Sequence, residues 1–433
     1  MEPSVSHFPT KVFLSGADWF LHVLENTSKK NRFDQNIIRI VLEVEDETYS
    51  NTIIERLSLH PLVHWILNVQ LKKPFFFNKA YWKYSNSGNH FSVNYHELNN
   101  VSLYDLPLFQ ETMRVNRTPL FKCDCVTENG KVTNVILSFH HILVDGRGAS
   151  LFLEELHAST SPTENDTSHY FKRPKKNITF KKHLQNILFI KYFMREQQQV
   201  QRANFELVDP KGFKINVLKF TSEETNLILQ NATVKGAKFG LNQFLLAVSI
   251  QTMSELFKNK NIPGDIWLPI PYDGRKRGAK GPVISNEISF LFYAIQAASK
   301  KSISEIMQEI HDQMMQQIRK EVPLNYGVFL EMTHYIPSKL MSFLVNRASK
   351  GSLASFLYSA SIEQQRDLKD KFSLSPKNMF VIPPFSAPPG ITISYILYNG
   401  QLSLNLVYNE NCINEFDFTE LNVALRKKLF ENG

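Results

Sequence analysis

Two adjacent histidines stand just ahead of an Asp-Gly pair in the first half of this 433-residue chain. They are His140 and His141, and three residues separate them from Asp145 and Gly146. Imidazole titrates close to neutral pH, so a histidine can accept a proton from an attacking hydroxyl as a bond forms. A single histidine beside an apolar strand is more often structural than catalytic. Two histidines followed by Asp-Gly at this spacing favour the catalytic interpretation.

The neighbouring elements are predicted to hold the histidines at the end of a strand. Residues 132–139 are β-branched and aromatic, which predicts a buried strand, and residues 149–157 predict a short helix. Asn129-Gly130, between two alternating runs, predicts a hairpin that ends at the histidines. Gly146 and Gly148 let the backbone turn tightly into the helix. Loops held between a rigid strand and a rigid helix are where catalytic groups usually lie.

The run His140-His141-x-x-x-Asp145-Gly146 resembles the HHxxxDG signature of the chloramphenicol acetyltransferase-like superfamily. This superfamily includes nonribosomal peptide condensation domains, plant BAHD acyltransferases, polyketide-associated acyltransferases and bacterial wax ester synthase/diacylglycerol acyltransferases. The resemblance implies an α/β (α+β) fold in which two chloramphenicol acetyltransferase-like subdomains form a V with a central active-site tunnel. The predicted alternation of strands and helices supports only α/β or α+β by itself.

This interpretation divides the chain into three parts. Residues 1–175 are expected to form an N-terminal acyltransferase subdomain carrying HHxxxDG, 176–210 a linker helix, and 211–433 a C-terminal acyltransferase subdomain. Each half has a late hairpin followed by a loop and a helix. The second hairpin ends at Tyr408 and Asn409 instead of at histidines.

The resemblance also assigns a role to each residue of the motif. His141 would be the general base, which takes the proton of the acceptor and returns it to the departing thiolate. His140 would support it. Asp145 would point away from the cleft and form a structural ion pair, and Gly146 would be a close-packing position.

Two segments of the second half resemble further parts of these acyltransferases. Residues 271–277 resemble an Asp/Asn-Leu-Arg-x-Arg segment, with Gly274 in place of the usual apolar residue. This likeness makes Arg275 the expected partner of the motif aspartate. Residues 282–286 resemble a Gly-Asn turn in which a serine replaces the glycine, and the substrate tunnel is expected near Asn286.

The implied reaction moves an acyl group from a CoA or carrier-protein thioester to the hydroxyl of a lipophilic alcohol or phenol. The thioester would be a co-substrate, an acyl carrier protein is a candidate partner, and no permanently bound cofactor or metal is expected. A free-standing condensation enzyme that forms an amide from a carrier-bound acyl group is the alternative. A non-catalytic binding protein on the same fold is an alternative of another class.

Composition favours an anionic partner. The formal charge is +8 and the pI is near 9.1, which suits nucleic acid, anionic lipid, CoA phosphates or an acidic carrier protein. Zinc-finger spacing, a helix-turn-helix signal and basic runs interleaved with aromatics are absent, so no nucleic acid partner is expected. The 33 phenylalanines suit either a large core or an acyl-chain tunnel.

Cysteine usage and hydropathy indicate the cellular compartment in which the protein is expected. Cys123, Cys125 and Cys412 form neither a metal-binding spacing nor a disulfide framework, as in proteins of a reducing compartment. The first residues lack the pattern of a secretory signal, and no apolar run approaches the roughly 18 residues of a membrane span. We expect a cytoplasmic protein. Residues 178–202 predict a basic amphipathic helix, which either bridges the two halves or lies peripherally on the inner face of an anionic membrane.

Overall fold

The computed structural model describes residues 8–26, 33–73, 78–85, 87–158, 167–173, 186–190, 195, 200–205, 212–276, 278–349, 352–361 and 375–431. The helices in these ranges are α1 Gly16–Asn26, α2 Glu47–Leu59, α3 Pro61–Leu67, α4 Gly146–Leu156, α5 Ser222–Val234, α6 Leu241–Asn259, α7 Ile303–Arg319, α8 Val322–Met332, α9 Ser338–Ser349 and α10 Glu415–Phe430. The strands are β1 Lys11–Phe13, β2 Phe33–Gln35, β3 Ile37–Glu43, β4 Val69–Lys72, β5 Tyr81–Tyr84, β6 Val93–Glu97, β7 Phe121–Glu128, β8 Lys131–His140, β9 Lys214–Lys219, β10 Ile266–Asp273, β11 Ile288–Ile295, β12 Leu357–Ser361, β13 Asn378–Ile382, β14 Phe385–Ala387, β15 Ile391–Tyr398 and β16 Gln401–Tyr408.

Two main sheets share one strand pattern. The first has the order β13-β3-β8-β7-β6 and the second the order β12-β15-β16-β9. In each sheet an antiparallel hairpin, β7–β8 or β15–β16, pairs on one side with a parallel strand, β6 or β12. On its other side each hairpin pairs with an antiparallel strand, β3 or β9. The sheets therefore repeat each other, as the late hairpins of the two halves predict.

Both hairpins turn at the predicted Asn-Gly pairs. Asn129 and Gly130 have φ values of 51° and 77°, and Asn399 and Gly400 have φ values of 50° and 76°. Two successive residues with positive φ fit the right-handed twist of the paired strands, and Asn-Gly adopts this conformation at low cost. The hairpin that delivers His140 is confirmed.

One strand crosses from the second half of the chain into the first sheet. β13 pairs antiparallel with β3, with Val381 opposite Ile40. Next to it, β14 pairs with β2. The first sheet is thus completed by residues that lie well beyond position 211, where the second subdomain was expected to begin.

Each sheet has its own hydrophobic core, and a third cluster joins the sheets. Ile40 and Leu42 belong to the first core, whereas Val41 between them packs in the third cluster. That cluster also contains Ile215 and Val407 from the second sheet. Because successive side chains of a strand point to opposite faces, β3 is buried on both sides, which explains why its residues are apolar except for the buried Arg39 and the terminal Glu43.

A short helical segment, residues 186–190, is described within the expected linker. Most of the expected linker helix and of the basic amphipathic helix at 178–202 lies outside the described residues. Within the described ranges, the structure contains no helix with both the length and the apolar composition needed to cross a membrane.

Candidate active site

The two histidines lie at the end of a central strand of the first sheet. The backbone N–H of His140 donates to the carbonyl of Leu120 at 3.0 Å, and that of His141 donates to the carbonyl of Asn36 at 2.8 Å. The chain then enters α4 at Gly146, three residues before the predicted start. The reason is local: Asp145 caps the helix, and its Oδ1 accepts the backbone N–H of Gly148 at 2.8 Å.

The His141 imidazole is half-buried, and the described part of the chain provides a hydrogen-bond partner to one of its nitrogens. Nδ1 lies 2.8 Å from the carbonyl oxygen of Val144. A carbonyl oxygen only accepts, so Nδ1 carries the proton and a neutral ring has its lone pair on Nε2. No described residue hydrogen-bonds to that Nε2. Burial lowers the pKa of His141, although the Val144 carbonyl and the Asp145 charge act against this effect. The ring is therefore held in the neutral form and is able to accept a proton.

The His140 imidazole is fully buried against helix α1. Its Nδ1 accepts the backbone N–H of Ile142 at 3.3 Å. Its Nε2 lies 3.3 Å from Oε2 of Glu25, an ion-pair distance without hydrogen-bond geometry. Burial alone would raise the pKa of Glu25, but the His140 and His22 imidazoles hold it below its ordinary value. Burial and Lys73 lower the pKa of His22 to about 4.

The carboxylate of Asp145 points into the second half of the molecule. Its Oδ2 lies 2.8 Å from Nη1 of Arg275 and accepts the backbone N–H of Glu287 at 3.0 Å. The Arg275 side chain also donates to the carbonyls of Pro282 and Ser285 at 3.1 to 3.2 Å. Only 4% of the aspartate side chain and 2% of the arginine side chain are exposed. The two predicted partners are thus brought together as a buried ion pair.

The close-packing glycine is Gly148 and not Gly146. A Cβ at Gly148 would lie 2.5 Å from the carbonyl oxygen of Val283, whereas a Cβ at Gly146 would meet nothing within 4 Å. Neither glycine has a positive φ, because both lie in the first turn of α4. The expectation that Gly146 packs closely is wrong, as is the expected tight turn. Because the capped helix begins at Gly146, it is Gly148 that lies against the backbone of the second half, at Val283.

Asn286 fastens the backbone of the motif to helix α1. Its Nδ2 donates to the carbonyl of His141 at 2.8 Å and to Oδ1 of Asp18 at 2.9 Å. The same carboxylate accepts the backbone N–H of Asn286 at 2.7 Å and lies 2.7 Å from Nη2 of Arg173. Asn286 is predicted beside the tunnel. In the structure its side chain is hydrogen-bonded to the backbone carbonyl of His141.

Sequence reasoning missed the polar residues of α1 that face the motif. Asp18, His22 and Glu25 are spaced i, i+4 and i+7, so they occupy one face of an otherwise apolar helix. Ionisable residues on a face that must be buried are a signal for a polar network, and this signal was present in the sequence. Among the described residues, no three His, Cys, Asp or Glu side chains are grouped so as to hold a metal ion.

No protein-family model matches the chain. No curated protein sequence matches it either. Solved structures do match. The trichothecene 15-O-acetyltransferase from Fusarium sporotrichioides is 11% identical, with a TM-score of 0.67 over 99% of this chain and 97% of that chain. The first condensation domain of the calcium-dependent antibiotic synthetase is 12% identical, with a TM-score of 0.61 over 97% of this chain and 96% of that one. The epimerization domain from the third module of tyrocidine synthetase B is 14% identical, with a TM-score of 0.58 over 99% and 97%.

Similarity at these identities shows the fold. The chain has the fold that the trichothecene acetyltransferase, the condensation domain and the epimerization domain share. The fold expected from the HHxxxDG resemblance is confirmed.

The two glycines of α4 provide a matched test of the contact between the halves. Gly148→Ala should lower the free energy of unfolding by about 1–3 kcal/mol, because the new methyl group overlaps the Val283 carbonyl. Gly146→Ala should change it by less than about 1 kcal/mol, since the site is open and alanine favours helix. Denaturant unfolding of both variants measures the difference. Equal effects would contradict the close approach at Val283.

The buried ion pair provides a second test. Asp145→Ala should destabilise the protein by about 3–5 kcal/mol, because it leaves the Arg275 guanidinium buried without its main counter-charge. Asp273→Ala is the control: this aspartate lies 3.2 Å from the same nitrogen, but 40% of its side chain is exposed. Its removal should cost less than about 1 kcal/mol. Thermal and denaturant unfolding of the two variants measures the difference. A loss of stability in Asp145→Ala no larger than that in the control would argue against the ion pair.

Proposed function

We propose that this protein is an acyltransferase in which His141 is the general base. The observation that supports the proposal is the state of its imidazole: a fixed tautomer, a depressed pKa and an unengaged Nε2 on a half-buried ring. The fold supports it independently, because proteins described as an acetyltransferase and as condensation domains share it.

In the proposed reaction the acceptor oxygen attacks the carbonyl carbon of an acyl thioester. Nε2 of His141 takes the hydroxyl proton as the carbon–oxygen bond forms. The tetrahedral adduct then expels the thiolate, and the imidazolium returns the proton to sulfur. One ester and one thiol are formed from one alcohol and one thioester, and the histidine ends as it began. No covalent acyl-enzyme is needed.

Asp145 has no place in the proton transfer. The three partners of its carboxylate are the Gly148 N–H, the Glu287 N–H and the Arg275 side chain. The partner of His141 Nδ1 is instead a backbone carbonyl of the motif. We assign Asp145 to holding the loop in place, and His140 to supporting that loop through the Ile142 N–H.

The substrates are proposed at the level of chemical class. The net charge of +8 favours an anionic donor, either acyl-CoA or an acyl group on an acidic carrier protein. The preferred acceptor is a lipophilic alcohol or phenol, which gives an ester. Amide formation from a carrier-bound acyl group is the second candidate, since condensation domains of peptide synthetases share the fold.

His141→Ala should lower kcat for thiol release by about 100-fold or more, because the proton acceptor is lost. The assay follows free thiol from acyl-CoA thioesters of graded chain length in the presence of alcohols, phenols or amines, and from acyl-loaded carrier protein. Far-UV circular dichroism checks that the variant is folded.

His90→Ala is the control for this variant, because His90 is exposed and lies outside the site. It should leave the rate of thiol release unchanged. If thiol is released only when an amine and loaded carrier protein are supplied, the condensation alternative is supported. Turnover that does not change in His141→Ala would refute the role of His141. Absence of thiol release by the wild type with every donor and acceptor would favour a binding protein.

The pH dependence follows from the depressed pKa of His141. The base must be neutral to act, so activity is present above its pKa and is lost as pH falls through it. Because burial places this pKa below the ordinary value of 6.5, the acidic limb of kcat/KM should have its midpoint below pH 6.5. A pH profile with a nonionisable donor analogue measures it. A midpoint above 6.5 would contradict the assignment.

A further inference from the structure

Helix α9 exposes an apolar face. Leu340, Phe343 and Leu344 are 50, 58 and 43% exposed, and their i, i+3, i+4 spacing puts them on one side of the helix. Arg347 continues the same face one turn later and is also exposed. We call these four residues the outer face of α9.

The outer face is not required for packing within the chain. The opposite side of α9 carries Met341 and Val345, which are buried in the core of the first sheet. The helix is therefore anchored by a complete inner stripe, while three large apolar side chains remain on the outside. Contiguous exposed apolar surface of this kind marks an interaction site.

The charged residues within helix α9 have one sign. Residues 332–349 contain Lys339 and Arg347, both exposed, and no Asp or Glu. Tyr335, just before the helix, is 51% exposed. Apolar residues flanked by cations and an aromatic ring are the composition of helices that lie in the interface of an anionic bilayer.

Helix α10 provides an internal comparison. Its Phe416 and Val423 are more exposed, at 69 and 62%. Phe416 lies between Glu415 and Asp417, so the first turn of this helix is acidic, whereas Val423 is followed by Arg426, Lys427 and Lys428. Exposed apolar residues are therefore not confined to α9, but in α9 they are accompanied by cations without any acidic residue in the same helix.

We propose that the outer face of α9 is a docking surface for an anionic lipid bilayer, with Leu340, Phe343 and Leu344 inserted below the headgroups. A second copy of the chain is a poorer occupant, because a two-fold contact through this face would bring two sets of cations together. The proposal does not depend on the reaction at His141. It assigns peripheral membrane binding to a described helix, outside the 178–202 segment, for which the sequence leaves a bridging helix and a membrane-bound helix as alternatives.

The test is cosedimentation of the full chain with phosphatidylcholine vesicles, with and without phosphatidylglycerol. The wild-type chain should bind the anionic vesicles and should be released as salt shortens the Debye length from about 10 Å at 0.1 M to about 3 Å at 1 M. Combined Leu340→Ser, Phe343→Ser and Leu344→Ser should lower the partition coefficient by at least about 10-fold. Lys339→Gln with Arg347→Gln should remove the preference for anionic vesicles.

Phe416→Ser with Val423→Ser is the matched control and should bind like the wild type. Light scattering of each variant gives the oligomeric state, and circular dichroism confirms folding. Unchanged vesicle binding by the triple serine variant would overturn the proposal. If the wild type is a dimer and the triple serine variant is a monomer, the proposal is also overturned, because the face then binds a second copy.

Discussion

The carboxylate of Asp145 is the contact on which the site depends, because it joins three parts of the molecule at one point. It ends the motif loop as the cap of α4, binds the guanidinium of Arg275 and accepts a backbone N–H from Glu287. A buried charge is tolerated only where its partners are complete. Here they are complete: Nε and both terminal nitrogens of Arg275 also donate to the carbonyls of Pro282 and Ser285 or to Asp273.

The position of His141 follows from this arrangement. Its Nδ1 is bonded to the carbonyl of Val144, and the Val144 backbone forms a bridge with Ser285 of the second half. Its own carbonyl accepts from Asn286. The tautomer of the ring is therefore set by a loop that the second half holds in place. Displacing residues 282–287 would loosen the imidazole even though none of them hydrogen-bonds to Nε2, so the ordering of the His141 ring depends on the docking of the two halves.

The parts of this structure that could be predicted from sequence are those determined locally or by a short motif. The Asn-Gly hairpins follow from backbone conformation at Asn129 and Asn399, and Arg275 follows from the likeness of its segment to known acyltransferases. The contribution of β13 to the first sheet could not be predicted, since its pairing joins residues more than 300 positions apart. The roles of the two α4 glycines were misjudged for the same reason: the atom that decides between them, the carbonyl oxygen of Val283, is distant in sequence.

The repeat in the fold does not carry the histidines twice. The second hairpin ends at Tyr408 and Asn409, at the place that corresponds to the histidines. Asn409 is fully buried: its Nδ2 donates to the carbonyl of Gly212, and its Oδ1 accepts the N–H of Asn411. Tyr408 stacks on Phe418 with ring centroids 4.3 Å apart. An amide that ties down its own loop cannot exchange a proton near neutral pH. The second half instead supplies Arg275 and Asn286 to the first, so equivalent architecture carries the histidines in one half and the residues that hold their loop in the other.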